Sequence, residues 1–86
     1  MGLLKQYGVN ISNIERILVS LETPESVGYR TRIEGITIEG KDIDYNTNVA
    51  IHNKLVDNME FNTSDGAINY IVKQLGLPSA DLIELH

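Results

Sequence analysis

Apolar side chains recur at every second position in the first half of this 86-residue chain and at helical spacing in the second half. A period of two suits a strand with one buried face, and a period near 3.6 suits a helix with one buried stripe, so the change of period divides the chain by element type. The pattern implies one small α+β domain spanning residues 1–86. Its first half forms a small antiparallel sheet of about three strands, packed against two helices from the second half.

The sheet signal is clearest from Val27 to Ile38. Val27, Tyr29, Thr31 and Ile33 share a face, and Ile36 and Ile38 resume in the opposite phase. Gly35 stands at the change and marks a bulge or bend. Glu39 to Asp42 then reads as a turn, with Ile43-Asp44-Tyr45 returning as a third strand.

Ile14 to Glu22 fits two templates. Ile14, Ile17, Leu18 and Leu21 have helical spacing behind Ser12 and Glu15, a capping-box pair. Ile17, Val19 and Leu21 also alternate with Arg16, Ser20 and Glu22. The β-branched content and the turn residues Thr23-Pro24-Glu25-Ser26 favour the strand. Leu3 to Tyr7 reads as a helical turn broken by Gly8.

Asn46 or Thr47 is placed to cap a helix running to about Glu60, with Ile51, Leu55, Val56 and Met59 inward. Ser64 or a neighbour caps a second helix, with Ala67, Ile68, Ile71, Val72 and Leu75 inward. Lys73 and Gly76 close that helix in the usual way. Ala80 to His86 reads as one last turn carrying Leu82, Ile83 and Leu85.

Composition excludes several classes of chemistry. The chain has no cysteine, so it offers no disulfide, thiolate nucleophile, Fe–S ligand or cysteine zinc site. Twelve acidic against seven basic side chains leave a net charge of −5, which opposes attraction to phosphate backbones. Direct nucleic-acid binding is therefore not expected, and Arg30 and Arg32, with Glu34 continuing their face, make a solvated strand surface. The N-terminal residues lack a signal-peptide pattern and no apolar run approaches the length of a membrane span, so the expectation is a cytoplasmic protein without membrane contact.

Two motifs resemble functional loops and fail on chemistry. Gly35 to Asp42 matches the spacing of a P-loop, but Asp42 stands where a magnesium-binding hydroxyl belongs and Glu39 would face the phosphates. Asp42, Asp44, Asn46 and Asn48 alternate as in the first part of a calcium loop. Thr47 replaces its turn glycine, however, and Asn53 its bidentate glutamate. His52 lacks partners at metal-ligand spacing, and Ser64, His52 and Asp57 lack the elbow and oxyanion hole of a triad.

No catalytic residue, cofactor or metal site follows from the sequence, and the expected role is non-enzymatic. The chain reads as a protein-interaction module, an acidic inhibitor or adaptor that meets a partner's basic surface through Glu34, Glu39, Asp42 and Asp44. The partner envisaged is a protein such as a nucleic-acid-binding enzyme, in the manner of small phage-encoded inhibitors of defence nucleases, an analogy of style rather than of sequence. The alternatives are a subunit of a homo-oligomer or larger assembly, held by the apolar tail, and a small-ligand sensor or enzyme centred on His52.

Overall fold

A computed structural model describes residues 2–23, 28, 30–57 and 59–86. Among these residues the elements are α1 (Leu3–Gln6), a 3₁₀ turn (Ile11–Asn13), β1 (Ile14–Glu22), β2 (Thr31–Gly40), α2 (Tyr45–Leu55), β3 (Glu60–Phe61), α3 (Ser64–Leu75) and β4 (Ile83–Leu85). The strands form one sheet in the order β3-β2-β1-β4. β2 runs antiparallel to β1 and β3, whereas β4 runs parallel to β1. Pro24 to Val27 and Tyr29, which carry part of the expected turn and strand face, lie outside the described residues.

Two bulges set the register of the central pair. Glu15 has no partner between the pairs Ile14–Gly40 and Arg16–Glu39, and Glu34 has none between Ser20–Gly35 and Leu21–Ile33. An unpaired residue advances the chain by one and so resets which face the next side chain occupies. Ile14 and Ile17 both point inward although three residues apart, and so do Ile33 and Ile36. The phase change expected at Gly35 is thus present, with Glu34 as the extra residue.

One face of the sheet is covered. Ile17, Val19, Ile33, Ile36 and Ile38 meet Ile51 and Leu55 of α2 and Ala67, Ile71 and Leu75 of α3, with Leu4 and Leu77 completing the core. Each such branched side chain removed from water contributes about 1.5–3 kcal/mol. Thr63 caps α3 through Gly66 N–H at 3.1 Å, and Gly76, in the left-handed conformation at φ 80°, ends it. The stop expected from Lys73 and Gly76 is the one observed.

Several local expectations are corrected. Ile43-Asp44-Tyr45 is not a strand, because the Asp44 carboxylate accepts the Thr47 N–H at 2.7 Å and starts α2 at Tyr45, ahead of the caps expected at Asn46 or Thr47. Ser12 and Glu15 form no capping box; Asn10 caps the 3₁₀ turn through Ser12 N–H, and Glu15 already lies in β1. α2 stops at Leu55 rather than near Glu60. Asp57 accepts the Met59 N–H at 3.2 Å, folding the chain into a local turn, and Glu60 enters the sheet. The terminal segment is β4 rather than a helical turn, since Ile17 N–H donates to Leu82 O and His86 N–H to Val19 O, both at 2.8 Å. Among the described residues the sheet therefore has four strands, two of them from the second half.

Candidate functional site: a groove beside α2

Two of the strand's backbone groups are satisfied by a helix. Ile38 N–H donates to Asn48 Oδ1 at 2.7 Å, and Asn48 Nδ2 donates to Ile38 O at 3.0 Å. One amide side chain thus supplies the pair of bonds that a neighbouring strand would give, and α2 covers an edge that would otherwise stand open to pairing. His52, one turn later, has Cε1 3.8 Å from the position a Cβ on Gly35 would take. The imidazole thus stands at ordinary contact distance from this point of β2.

Seating α2 in this way turns Ile51 and Leu55 into the core and leaves Tyr45 and Val49 outside. Tyr45 is 80% exposed and Val49 38%. Together with Ile36, Thr37, Asn48 and His52 they line a groove of about 330 Å³. Its floor is apolar, and its polar groups are a phenol, an amide, a hydroxyl and an imidazole.

The four acids expected to contact a partner are distributed around this region and do different things. Glu34 is exposed at the bulge, next to Gly35 and hence near the His52 end. Glu39 lies two residues beyond Thr37 on the same strand face and is paired with Arg16. That contact, first through its hydrogen bond and then through charge, holds the Arg16 guanidinium protonated more firmly than usual, with a smaller contribution from Glu84. Asp42 is exposed in the turn before α2, in the left-handed region at φ 61°. Asp44 is the helix cap beside Tyr45. Glu34 and Asp42 are in no ion pair found among the described residues, whereas Glu39 and Asp44 also have structural duties.

The arginines are occupied in the same way. Arg32 meets Glu22 at 2.8 Å and Arg30 meets Glu60 at 3.6 Å. Exposed pairs of this kind contribute about 0.2–1 kcal/mol each. Together with Arg16–Glu39 they neutralise the charge of Glu22, Glu39 and Glu60 on the sheet.

Sequence reasoning missed Tyr45 and Val49 because it placed Tyr45 in a strand. The usable signal was Asp44 itself, a preferred cap residue three positions before Thr47. The oxygen-bearing side chains that imitate a calcium loop are partly accounted for by this cap. Of the apolar tail, Leu82 and Ile83 pack on the domain's own core, and Leu85 stays 56% exposed.

Hydrogen bonding from Thr47, mainly its backbone N–H, holds the Asp44 carboxyl below its ordinary value of 3.8. A depressed pKa stabilises the fold where the group is ionised. The contribution is complete above the unfolded pKa and is lost as pH falls through the lower folded value. An Asp44→Asn protein, whose amide still caps but does not titrate there, is expected to lose less stability between pH 5 and pH 2.5 than the unsubstituted protein. Urea midpoints at the two pH values check this, and an equal loss in both proteins would contradict it.

No helix among the described residues is long and apolar enough to cross a membrane, and no group of three or more His, Cys, Asp and Glu side chains is arranged to hold a metal ion. Comparison with known proteins finds no matching protein family, no matching curated protein and no matching solved structure.

Proposed function

We propose that this domain is a non-enzymatic interaction module that holds a partner protein along the groove between α2 and β2. The observation that carries the reading is Tyr45, whose ring stands in water on a helix whose other face is locked into the core and onto a strand edge. Aromatic side chains that a partner can bury beside a hollow are where interfaces concentrate their binding energy. Val49, one turn along, extends the same apolar strip.

The acids select the partner's charge. Asp44 precedes Tyr45 in the chain, Asp42 lies two residues before that, Glu39 and Glu34 flank the groove residues Ile36 and Thr37 along β2, and the chain as a whole carries −5. Such a charge accelerates encounter with a basic surface and disfavours acidic ones. Nucleic-acid-binding proteins have surfaces of this kind, and covering one would inhibit it, so inhibitor or adaptor is the role this chemistry fits.

Binding to a panel of basic nucleic-acid-binding proteins, measured at low and high salt, tests the reading. Tyr45→Ala is expected to weaken binding by about 2 kcal/mol, near thirtyfold, as loss of an interface anchor does. Glu34→Lys with Asp42→Lys, which leaves the Arg16 pair and the α2 cap intact, is expected to slow association and flatten the salt dependence. Affinity unchanged by both variants at low salt would exclude the groove as the binding surface.

A further inference from the structure

The uncovered face of the sheet carries a second hollow, around a row of residues that crosses the strands. Ser20 of β1 pairs with Gly35 of β2. His86 follows Leu85, the partner of Val19, and its N–H is fixed to Val19 O, so it continues the row beside Ser20. At the other end the His52 imidazole sits against Gly35. The two smallest side chains of the row therefore lie between the two histidines of the chain. Both histidines line one hollow of about 260 Å³ with Leu18, Ser20, Gly35 and Thr37.

Two strand spacings separate β4 from β2, about 10 Å. Both histidines line the hollow, and Ser20 and Gly35 put little bulk between them. We propose that His52 and His86 chelate one divalent transition-metal ion of the zinc, nickel or copper type above the Ser20–Gly35 floor. The donor set fixes the class, since imidazole nitrogen suits these ions, while magnesium and calcium favour carboxylate oxygens and the side chains lining this hollow include hydroxyls but no Asp or Glu.

With only two ligands from the protein, the remaining positions belong to water, or to a donor atom of whatever binds there. This is the arrangement of an open site rather than a closed structural one. Glu84 shares the uncovered face, but its charge acts on Arg16 at the other side of Leu18. The inference is independent of the groove at Tyr45, although His52 borders both hollows.

Calorimetric titration of zinc and nickel chloride into untagged protein tests the proposal, with magnesium chloride as the comparison. One ion per chain is expected for zinc and nickel and none for magnesium. His52→Gln and His86→Gln should each weaken binding at least the roughly tenfold that loss of a mere supporting group costs a metal site. Imidazole proton resonances of both histidines should shift together and saturate at one equivalent. Absence of binding, wild-type affinity in either variant, or two independent ions per chain would each overturn the proposal. The histidines are not part of the buried core, and circular dichroism of both variants establishes that a loss of binding is not a loss of fold.

Discussion

Gly40→Ala is expected to cost about 3 kcal/mol of stability, at the upper end of the overpacking range. At Gly40 the end of β2 passes directly over the start of β1. A Cβ there would collide with the carbonyl oxygen of Asn13 and come within 2.9 Å of Ile14 Cα. The same carbonyl accepts the Lys41 N–H at 2.8 Å, so it has no freedom to turn away. Everything the new methyl group meets is backbone, and the strands must part where Ile14 enters the core. A domain of this size has roughly 4–13 kcal/mol in total, from about 0.05–0.15 kcal/mol per residue, so the loss would lower the melting temperature by about 12–24 °C. Gly35→Ala, where the nearest atom lies at 3.8 Å, is the matched control and should be tolerated far better. Equal melting temperatures for the two variants would contradict the close approach of β1 and β2.

Asn48→Leu is expected to cost about 2–6 kcal/mol and to open the edge of β2. Leucine has similar volume but satisfies neither Ile38 N–H nor Ile38 O, and each half-buried backbone group left unpaired costs about 1–3 kcal/mol. The consequence reaches the groove, because Asn48 is what fixes the outer half of α2 to the strand. Native-state hydrogen exchange at the Ile38 amide reads this directly. Strong protection in the unsubstituted protein should fall in Asn48→Leu by more than the global loss of stability explains, and an amide that stays equally protected would show that Asn48 does not carry the edge. The freed edge is also a template for pairing with other chains, so a rise in concentration-dependent association is part of the same expectation.

The parts of the fold legible in the sequence are those whose side chains follow one period over several residues, or change phase at a residue that marks the break. Ala67, Ile71 and Leu75 gave the α3 stripe, and Thr31, Ile33, Ile36 and Ile38 gave the buried face of β2 on either side of the phase change at the bulge. Ile14 to Glu22 looked equally helical because the bulge at Glu15 places Ile14 and Ile17 three residues apart on one face, the same spacing a helix would use. β4 escaped because three residues are too few to show alternation, and because its place is set by a parallel pairing with β1 some sixty residues earlier in the chain, which no local pattern encodes. The four acids were visible as charge. That Glu39 would be taken by Arg16 and Asp44 by Thr47 N–H depends on the strand register and on where α2 begins. Asn48 gave no signal, since an asparagine that imitates a strand looks in sequence like any polar helix residue.

If the surface around Tyr45 is where this domain meets another protein, a chemical probe fixed there will find that protein. A photo-cross-linking residue placed at position 45, and in a second protein at the exposed position 73 of α3, locates the contact whatever the partner's identity. An adduct with a basic protein is predicted from position 45, suppressed by an excess of unlabelled domain, and none from position 73. No specific adduct from position 45, equal adducts from both positions, or an adduct with a second copy of the chain would contradict this role for the groove, the last assigning the exposed tyrosine to self-association instead.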